Sequence, residues 1–254
     1  MNTGPSRPVR WINLQYRPEP HRHEGEAVMS EREQITQEAR RQFMEEMMAR
    51  MGNEKERKLT NYICQNQYIQ KGKTLFTGSS LMEMFPIAEF CLNDGLPIVY
   101  NRGIGGYTTD EFLAAIGPIL LDLAPSRLFI NIGTNDIREM PEGEDWFTHL
   151  SANYRIICET IREKLPETIV YMMAYYPVNP RRDNPGLRVR TNEAIARANE
   201  MVRDLAAEFG FHYIDVNDGL KDETGNLRLE HTLDGVHFDA AAYRTVYDRL
   251  KPYL

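Results

Sequence analysis

The sequence predicts an α/β fold, a parallel sheet of five strands covered by helices. Three observations predict it. From Lys73 onward, short apolar runs alternate with segments of helical length, which is the pattern of repeated βαβ units. The run Arg127-Leu128-Phe129-Ile130-Asn131-Ile132 is apolar on both faces, as a strand covered from both sides must be. The residues able to do chemistry fall in the loops after these runs, and the sites of such sheets lie beyond the carboxyl ends of the strands.

The N-terminal region, 1–60, stands apart from the main domain, 61–254. A stretch rich in proline and arginine reaches to about His23 without helical or strand period and reads as an extended arm. His21 and His23 lack the further ligands that a metal site needs. Ser30-Glu31-Arg32-Glu33 is a capping box, in which serine and glutamate satisfy each other's backbone amides, so a helix is predicted to follow. In it Ile35, Ala39, Phe43, Met47 and Met51 recur every four residues, flanked by Met44 and Met48, as one apolar stripe. Such a stripe must be covered, by the main domain or by a second subunit. The latter would make a homo-oligomer through this helix. Whether the region braces the main domain, covers a pocket in it or builds a dimer is open at this point.

In the main domain, strands are predicted at 74–76, 97–100, 127–132, 168–174 and 211–215, and helices at about 109–123, 145–164, 187–209 and 240–250. Parallel neighbours must be joined by right-handed crossovers. With 254 residues, 42% of them hydrophobic, the chain can bury a sizeable core. A formal charge of -7 argues against a dedicated nucleic-acid binder, which needs a concentrated basic surface. The pair Arg181-Arg182 reads as a solvated loop or a substrate contact. Three cysteines, Cys64, Cys91 and Cys158, form neither a CxxC pair nor an even set, so a disulfide framework or zinc site is not expected. The beginning of the chain has no secretory apolar stretch, and no segment approaches the roughly 20 apolar residues of a membrane span. A cytoplasmic protein is expected.

Ser80 follows the first apolar run, and Asp234-Gly235-Val236-His237 lies between the fifth run and the last helix. A serine hydroxyl becomes a nucleophile at neutral pH when a base takes its proton and a third group orients the base. Ser80, His237 and Asp234 can supply these parts, while Gly106 and Asn135, after the second and third runs, can donate to an oxyanion. A phosphate-loop reading of Gly103-Ile104-Gly105-Gly106 fails for want of the Gly-Lys-Ser/Thr ending.

Four blocks, in order, resemble those of the SGNH hydrolases, also called GDSL-type esterases and lipases. They are Phe76-Thr77-Gly78-Ser79-Ser80-Leu81-Met82, Asn101-Arg102-Gly103-Ile104-Gly105-Gly106-Tyr107-Thr108, Asn131-Ile132-Gly133-Thr134-Asn135-Asp136 and Asp234-Gly235-Val236-His237. The resemblance covers about Lys73 to Leu254. It implies a flavodoxin-like three-layer α/β/α sandwich and hydrolysis of carboxylic esters without a metal or organic cofactor. By position it makes Ser80 the nucleophile, His237 the general base and Asp234 its orienting carboxylate. The Ser80 amide, the Gly106 amide and the Asn135 side chain would form the oxyanion hole. The chain departs from the family at Ser79, where an aspartate is usual; Ser79 is then the alternative nucleophile, although alignment through Gly78 selects Ser80.

Substrate contacts are expected from Arg102, Tyr107, Ile137, Arg138 and Met140, and from Tyr175, Tyr176 and Asn179 after the fourth strand. Their mixture of aromatic and polar character favours small soluble or carbohydrate esters with short acyl groups. A lysophospholipase or thioesterase, or a catalytically silent ligand-binding module, is the alternative.

Overall fold

Five short runs pair into one all-parallel sheet: β1 (Thr74–Gly78), β2 (Val99–Asn101), β3 (Arg127–Asn131), β4 (Ile169–Met173) and β5 (His212–Ile214). Their order is β2-β1-β3-β4-β5. The computed structural model describes residues 31–254, with side chains at Glu38 and from Arg40 onward. The proline-rich arm, the Ser30 capping box and the side chains of Ile35 and Ala39 lie outside the described residues.

Alternation along the strands sorts their side chains into two cores. Leu75, Leu128, Ile130, Val170 and Met172 face α6 (Trp146–Lys164) and α7 (Asn192–Phe209), which contribute Tyr154, Ile157, Val202 and Leu205. Phe76, Phe129 and Met173 face the other way. They meet Ile87 and Cys91 of α3 (Ile87–Asn93) and Tyr243, Val246 and Tyr247 of α8 (Ala240–Leu250). The result is the three-layer sandwich expected from the sequence.

On the second face the strand register stacks aromatic rings across the sheet. Phe76 is level with Phe129, Phe129 with Tyr171 and Tyr171 with His212. Their ring centroids are 4.4, 4.7 and 5.2 Å apart and nearly parallel. Such cross-strand pairs add to the area they bury and resist a slip of register.

The helices differ from expectation where the sequence holds a breaker or a cap. The predicted helix over 109–123 is divided into α4 (Thr109–Ala114), α5 (Ile116–Ile119) and a 3-10 turn at Leu121–Leu123. Pro118 lies in this stretch and has no N–H to give to a continuous helix. The helix predicted to begin near 187 starts at Asn192, where the Thr191 hydroxyl accepts from the Ala194 amide, after a 3-10 turn at Pro185–Arg188. After β1, α2 (Ser80–Glu83) and α3 are too short to show a period in sequence.

The first helix, α1, spans Glu31–Gln65. The chain divides into two compact units between Ala49 and Arg50, so the C-terminal part of α1 belongs with the sheet, and that unit starts before residue 61. The reason is a set of contacts from Lys55, Lys58 and Tyr62 to the loop after β2 and to α2 and α4. In the other unit, Phe43, Met44, Met47 and Met48 are exposed. No helix among the described residues is long and apolar enough to cross a membrane.

Phe129 is fully buried between Phe76 and Tyr171. Phe129→Ala should lower stability by about 3–5 kcal/mol, read from the midpoint of urea unfolding.

Candidate active site

The strand order reverses at β1, which has β2 on one side and β3 on the other. Loops leaving β1 and β3 therefore border the crevice where ligands bind in sheets of this type. Gly78, the last residue of β1, is level with Asn131, the last of β3. A Cβ at Gly78 would collide with the Asn131 carbonyl, so only glycine permits the turn that delivers the next residues. Ser79 is buried, and its amide donates to the Asn131 carbonyl at 3.3 Å. Ser80 opens α2, and its Oγ lies 2.9 Å from His237 Nε2. Of the two serines, the imidazole takes Ser80.

His237 is held by its own loop. The Asp234 carboxylate accepts from the amides of Val236 and His237 at 2.9 and 2.8 Å, and its other oxygen lies 2.6 Å from His237 Nδ1. Burial pushes the Asp234 carboxyl up, but the His237 amide, the His237 ring and the Val236 amide more than offset it and hold it below the ordinary aspartate range. An ionised carboxylate only accepts, so Nδ1 carries the proton and Nε2 of the neutral ring is free to accept from Ser80. The loop is anchored from outside by Asn184, which donates to the Asp234 carbonyl at 3.0 Å, and by Arg182, which donates to the carbonyls of Leu229 and Thr232.

The residues expected to donate to an oxyanion lie on two further loops and at the head of α2. After β3, Asn135 donates through Nδ2 to the Tyr107 carbonyl at 2.9 Å, and its Oδ1 accepts from Arg190 at 3.1 Å. Those two bonds set which way the amide faces and leave one Nδ2 hydrogen for a ligand. Asp136 beside it accepts from the amide and hydroxyl of Thr109, tying the β3 loop to the start of α4. Burial raises the Asp136 carboxyl, against the opposing Thr109 bonds. Among the described residues no hydrogen bond engages the amide of Ser80 or of Gly106. Both residues line one cleft of about 410 Å³ together with Asn135 and His237.

The C-terminal part of α1 fixes the Gly103–Tyr107 loop, a role the sequence did not disclose. Lys55 Nζ donates to the Gly106 carbonyl at 3.0 Å and bridges to Glu111 at 2.7 Å. Glu111 also completes a capping box with Thr108 at the head of α4. Lys58 bridges at 2.6 Å to Glu83, whose carboxylate accepts from the Gly105 amide. Tyr62 donates to the Gly103 carbonyl at 2.8 Å. Met51, Lys55 and Lys58 also line the cleft.

The expected substrate contacts are corrected. Arg102 is buried beneath α1; it donates to Asn66 and to the Asn101 carbonyl and stacks on Tyr62 at 4.8 Å. Tyr107 and Tyr176 are core residues, the latter packed edge-on against Phe238. Arg138 is exposed and does not line the cleft. Of the others, Ile137, Tyr175 and Asn179 are buried, with the Tyr175 hydroxyl donating to the Ile132 carbonyl. Aromatic rings near a site are drawn into the core, and Arg102 finds its acceptors there. Glu83, Asn184 and Arg190 line the cleft instead. A second pocket, beyond His237, is lined by Met84, Leu229, Leu233 and Phe238.

Asp110, Asp136 and His149 bring potential metal-ligand atoms within 4.8 Å of one another. Each already has a partner: His149 meets Asp110 at 2.8 Å, Asn153 donates to Asp110, and Thr109 donates to Asp136. The trio reads as a joint between α4 and α6.

A doubly wound sheet carrying serine, glycine, asparagine and histidine at one switch point is the arrangement of the SGNH hydrolases. The chain belongs to the GDSL-like lipase/acylhydrolase family, whose profile matches residues 87–245. That stretch begins beyond Ser80, so the place of Ser80 rests on geometry. The chain is 27% identical over 187 residues to the N-acylneuraminate cytidylyltransferase of Escherichia coli O18:K1:H7, covering 73% of this chain and 41% of that protein's length. A Streptococcus pneumonia protein that bears the name platelet activating factor matches with a TM-score of 0.75 and 28% identity over 84% of this chain and 98% of the other. The acetyl xylan esterase AlAXEase shares the fold, with a TM-score of 0.58 and 17% identity over 72% of this chain and 99% of the other.

Lys55→Ala should lower kcat roughly tenfold in ester hydrolysis while the circular dichroism spectrum is kept, because the Gly106 peptide loses its anchor but the donor itself remains. With its pKa depressed in the folded state, the Asp234 carboxylate stabilises fully above the unfolded aspartate value of about 3.9, and that contribution is lost as pH falls through the lower folded value. The stability gap between the protein and Asp234→Asn should therefore narrow below about pH 4 in urea titrations.

Proposed function

We propose that the protein is a serine esterase that cleaves carboxylic esters through an acyl-enzyme, acting on short-acyl, small soluble or carbohydrate esters. The observation that carries this reading is the chain of contacts from Asp234 to His237 Nδ1 at 2.6 Å and from His237 Nε2 to Ser80 Oγ at 2.9 Å. In this reading Ser80 Oγ attacks the ester carbonyl as its proton passes to His237 Nε2. The developing imidazolium is stabilised by Asp234. The carbonyl oxygen, now anionic, takes hydrogen bonds from the Ser80 amide, the Gly106 amide and Asn135 Nδ2, donors that are in place before reaction. His237 returns the proton to the leaving alcohol. Water, deprotonated by the same imidazole, then attacks the acyl-enzyme, and the collapse of the second tetrahedral species frees the acid and restores Ser80.

The cleft of about 410 Å³, in which Lys55, Lys58 and Arg190 stand beside Met51, Met84 and Val236, supports a small ester. Names of similar proteins that refer to acetyl xylan and to an N-acylneuraminate support a carbohydrate ester. The apolar pocket beyond His237 favours a second reading, a lysophospholipase or thioesterase with its longer acyl chain along Leu229, Leu233 and Phe238. The exposed row Phe43, Met44, Met47 and Met48 supports self-association through α1, which sedimentation of the Met48→Glu variant would test by a shift to lower mass.

Ser80→Ala should abolish hydrolysis of nitrophenyl acetate and labelling by a fluorophosphonate, and Asp234→Asn should lower kcat by roughly a thousandfold or more. A series of nitrophenyl esters should favour acetate and butyrate. Preference for long chains would move the assignment to the second reading, and full activity of Ser80→Ala would reject the nucleophile.

A further inference from the structure

The cleft holds three cations, and two of them are spoken for. Lys55 is bridged to Glu111 at 2.7 Å, and Lys58 to Glu54 and Glu83 at 2.9 and 2.6 Å. Arg190 is different. Among the described residues no carboxylate lies within ion-pair distance of its guanidinium. Its hydrogen bonding runs through Nη2 to Asn135, and its Nε is buried without a partner. Burial works against its charge, and the acids that favour it, Asp136 and Asp234, act without contact. The residue also stands directly before Thr191, the N-cap of α7, where the helix presents the positive end of its dipole. A partly buried guanidinium beside a positive helix end, with donors to spare and no carboxylate in contact among the described residues, is electrostatically expensive. Its presence in the wall of a substrate cleft has a simple explanation in a ligand that brings the missing charge.

We infer that the cleft selects esters carrying a carboxylate, with Arg190 as the cation that receives it. The inference rests on the esterase reading and deepens it. A carboxylate fits better than a phosphate or sulfate monoester dianion, because one unpaired cation balances a single charge and the planar guanidinium matches two carboxylate oxygens. Geometry limits where that carboxylate sits. Arg190 donates to the Oδ1 of the same amide whose second Nδ2 hydrogen the esterase reading assigns to the oxyanion, so in that reading the two ligand groups are separated by little more than the width of that amide and two hydrogen bonds. The substrate class is thus a small acylated hydroxy acid or sugar acid in which the carboxylate lies a few bonds from the scissile ester. Arg190 acts as a specificity-determining residue and, by holding Asn135 Oδ1, as a positioning residue for the oxyanion donor.

The test uses acetoxyacetate, 3-acetoxypropionate and 4-acetoxybutyrate, each against its neutral carboxamide, with the full-length protein. The readout is the ratio of kcat/KM for acid over amide, which cancels any change in Asn135 placement. The unaltered protein should prefer at least one acid by tenfold or more. In Arg190→Gln the ratio should fall to about one whatever the absolute rates, and Arg190→Lys should restore part of it. A ratio near one in the unaltered protein, or an equal loss on acid and amide in Arg190→Gln, overturns carboxylate selection and leaves Arg190 a support for Asn135 alone. Calorimetric binding of each acid and amide to Ser80→Ala reads the same contact without turnover. If nitrophenyl acetate shows no Ser80-dependent hydrolysis, the esterase reading fails, while these titrations still decide the anion contact: binding of acid but not amide, lost with Arg190→Gln, supports it, and equal binding rejects it.

Discussion

Everything at the active site depends on the pairing of β1 with β3. The two strands run level from Thr74 with Arg127 to Gly78 with Asn131, so their carboxyl ends finish side by side. Because β2 and β3 lie on opposite sides of β1, the chain leaves the sheet in different directions from these ends and opens a crevice between them. Ser80 stands on one bank and Asn135 on the other. The aromatic row at the level of Phe76, Phe129 and Tyr171 makes this register hard to change, since a one-residue slip would drive those rings to the opposite core. Packing in the second core thereby sets the relative height of Ser80 and Asn135.

Polar groups at the site are fixed by other polar groups rather than left to find water. Asp234 is satisfied by two amides and the imidazole, Asp136 by Thr109, and Asn135 by Tyr107 and Arg190. Each constraint removes a conformation that would misdirect a donor, so little reorganisation is left for the moment of reaction. Among the cleft cations, Arg190 breaks this pattern, since Lys55 and Lys58 are each bridged to a glutamate and Arg190 has no carboxylate in contact among the described residues.

Much of this was legible in the chain itself. The strands are short apolar runs whose centres are fixed by burial, and their ends differ from expectation by only a few residues. The spacing of Asp234 and His237 and the order of the four blocks pointed to side chains that the fold does bring together, because chemistry demands those residue types in one place. Less legible were contacts decided by direction. Arg102, Tyr107 and Tyr176 lie close to the blocks in sequence, but their side chains turn into the core, where aromatic faces and backbone acceptors hold them. Lys55 and Lys58 carry no sequence signal of their contacts, and nothing local says that α1 passes over the Gly103–Tyr107 loop. The break at Pro118 was available in the sequence and was outweighed by apolar spacing; the proline's missing donor prevailed.

Glu83 has a mechanical consequence. It belongs to α2, the short helix that Ser80 begins, yet its carboxylate receives the Gly105 amide from the neighbouring loop and the Lys58 ammonium from α1. One side chain thus fastens the helix that Ser80 begins, the loop that holds Gly105 and the helix α1 into a single body. Opening the cleft by moving any one of the three requires breaking a charged hydrogen bond or carrying the other two along.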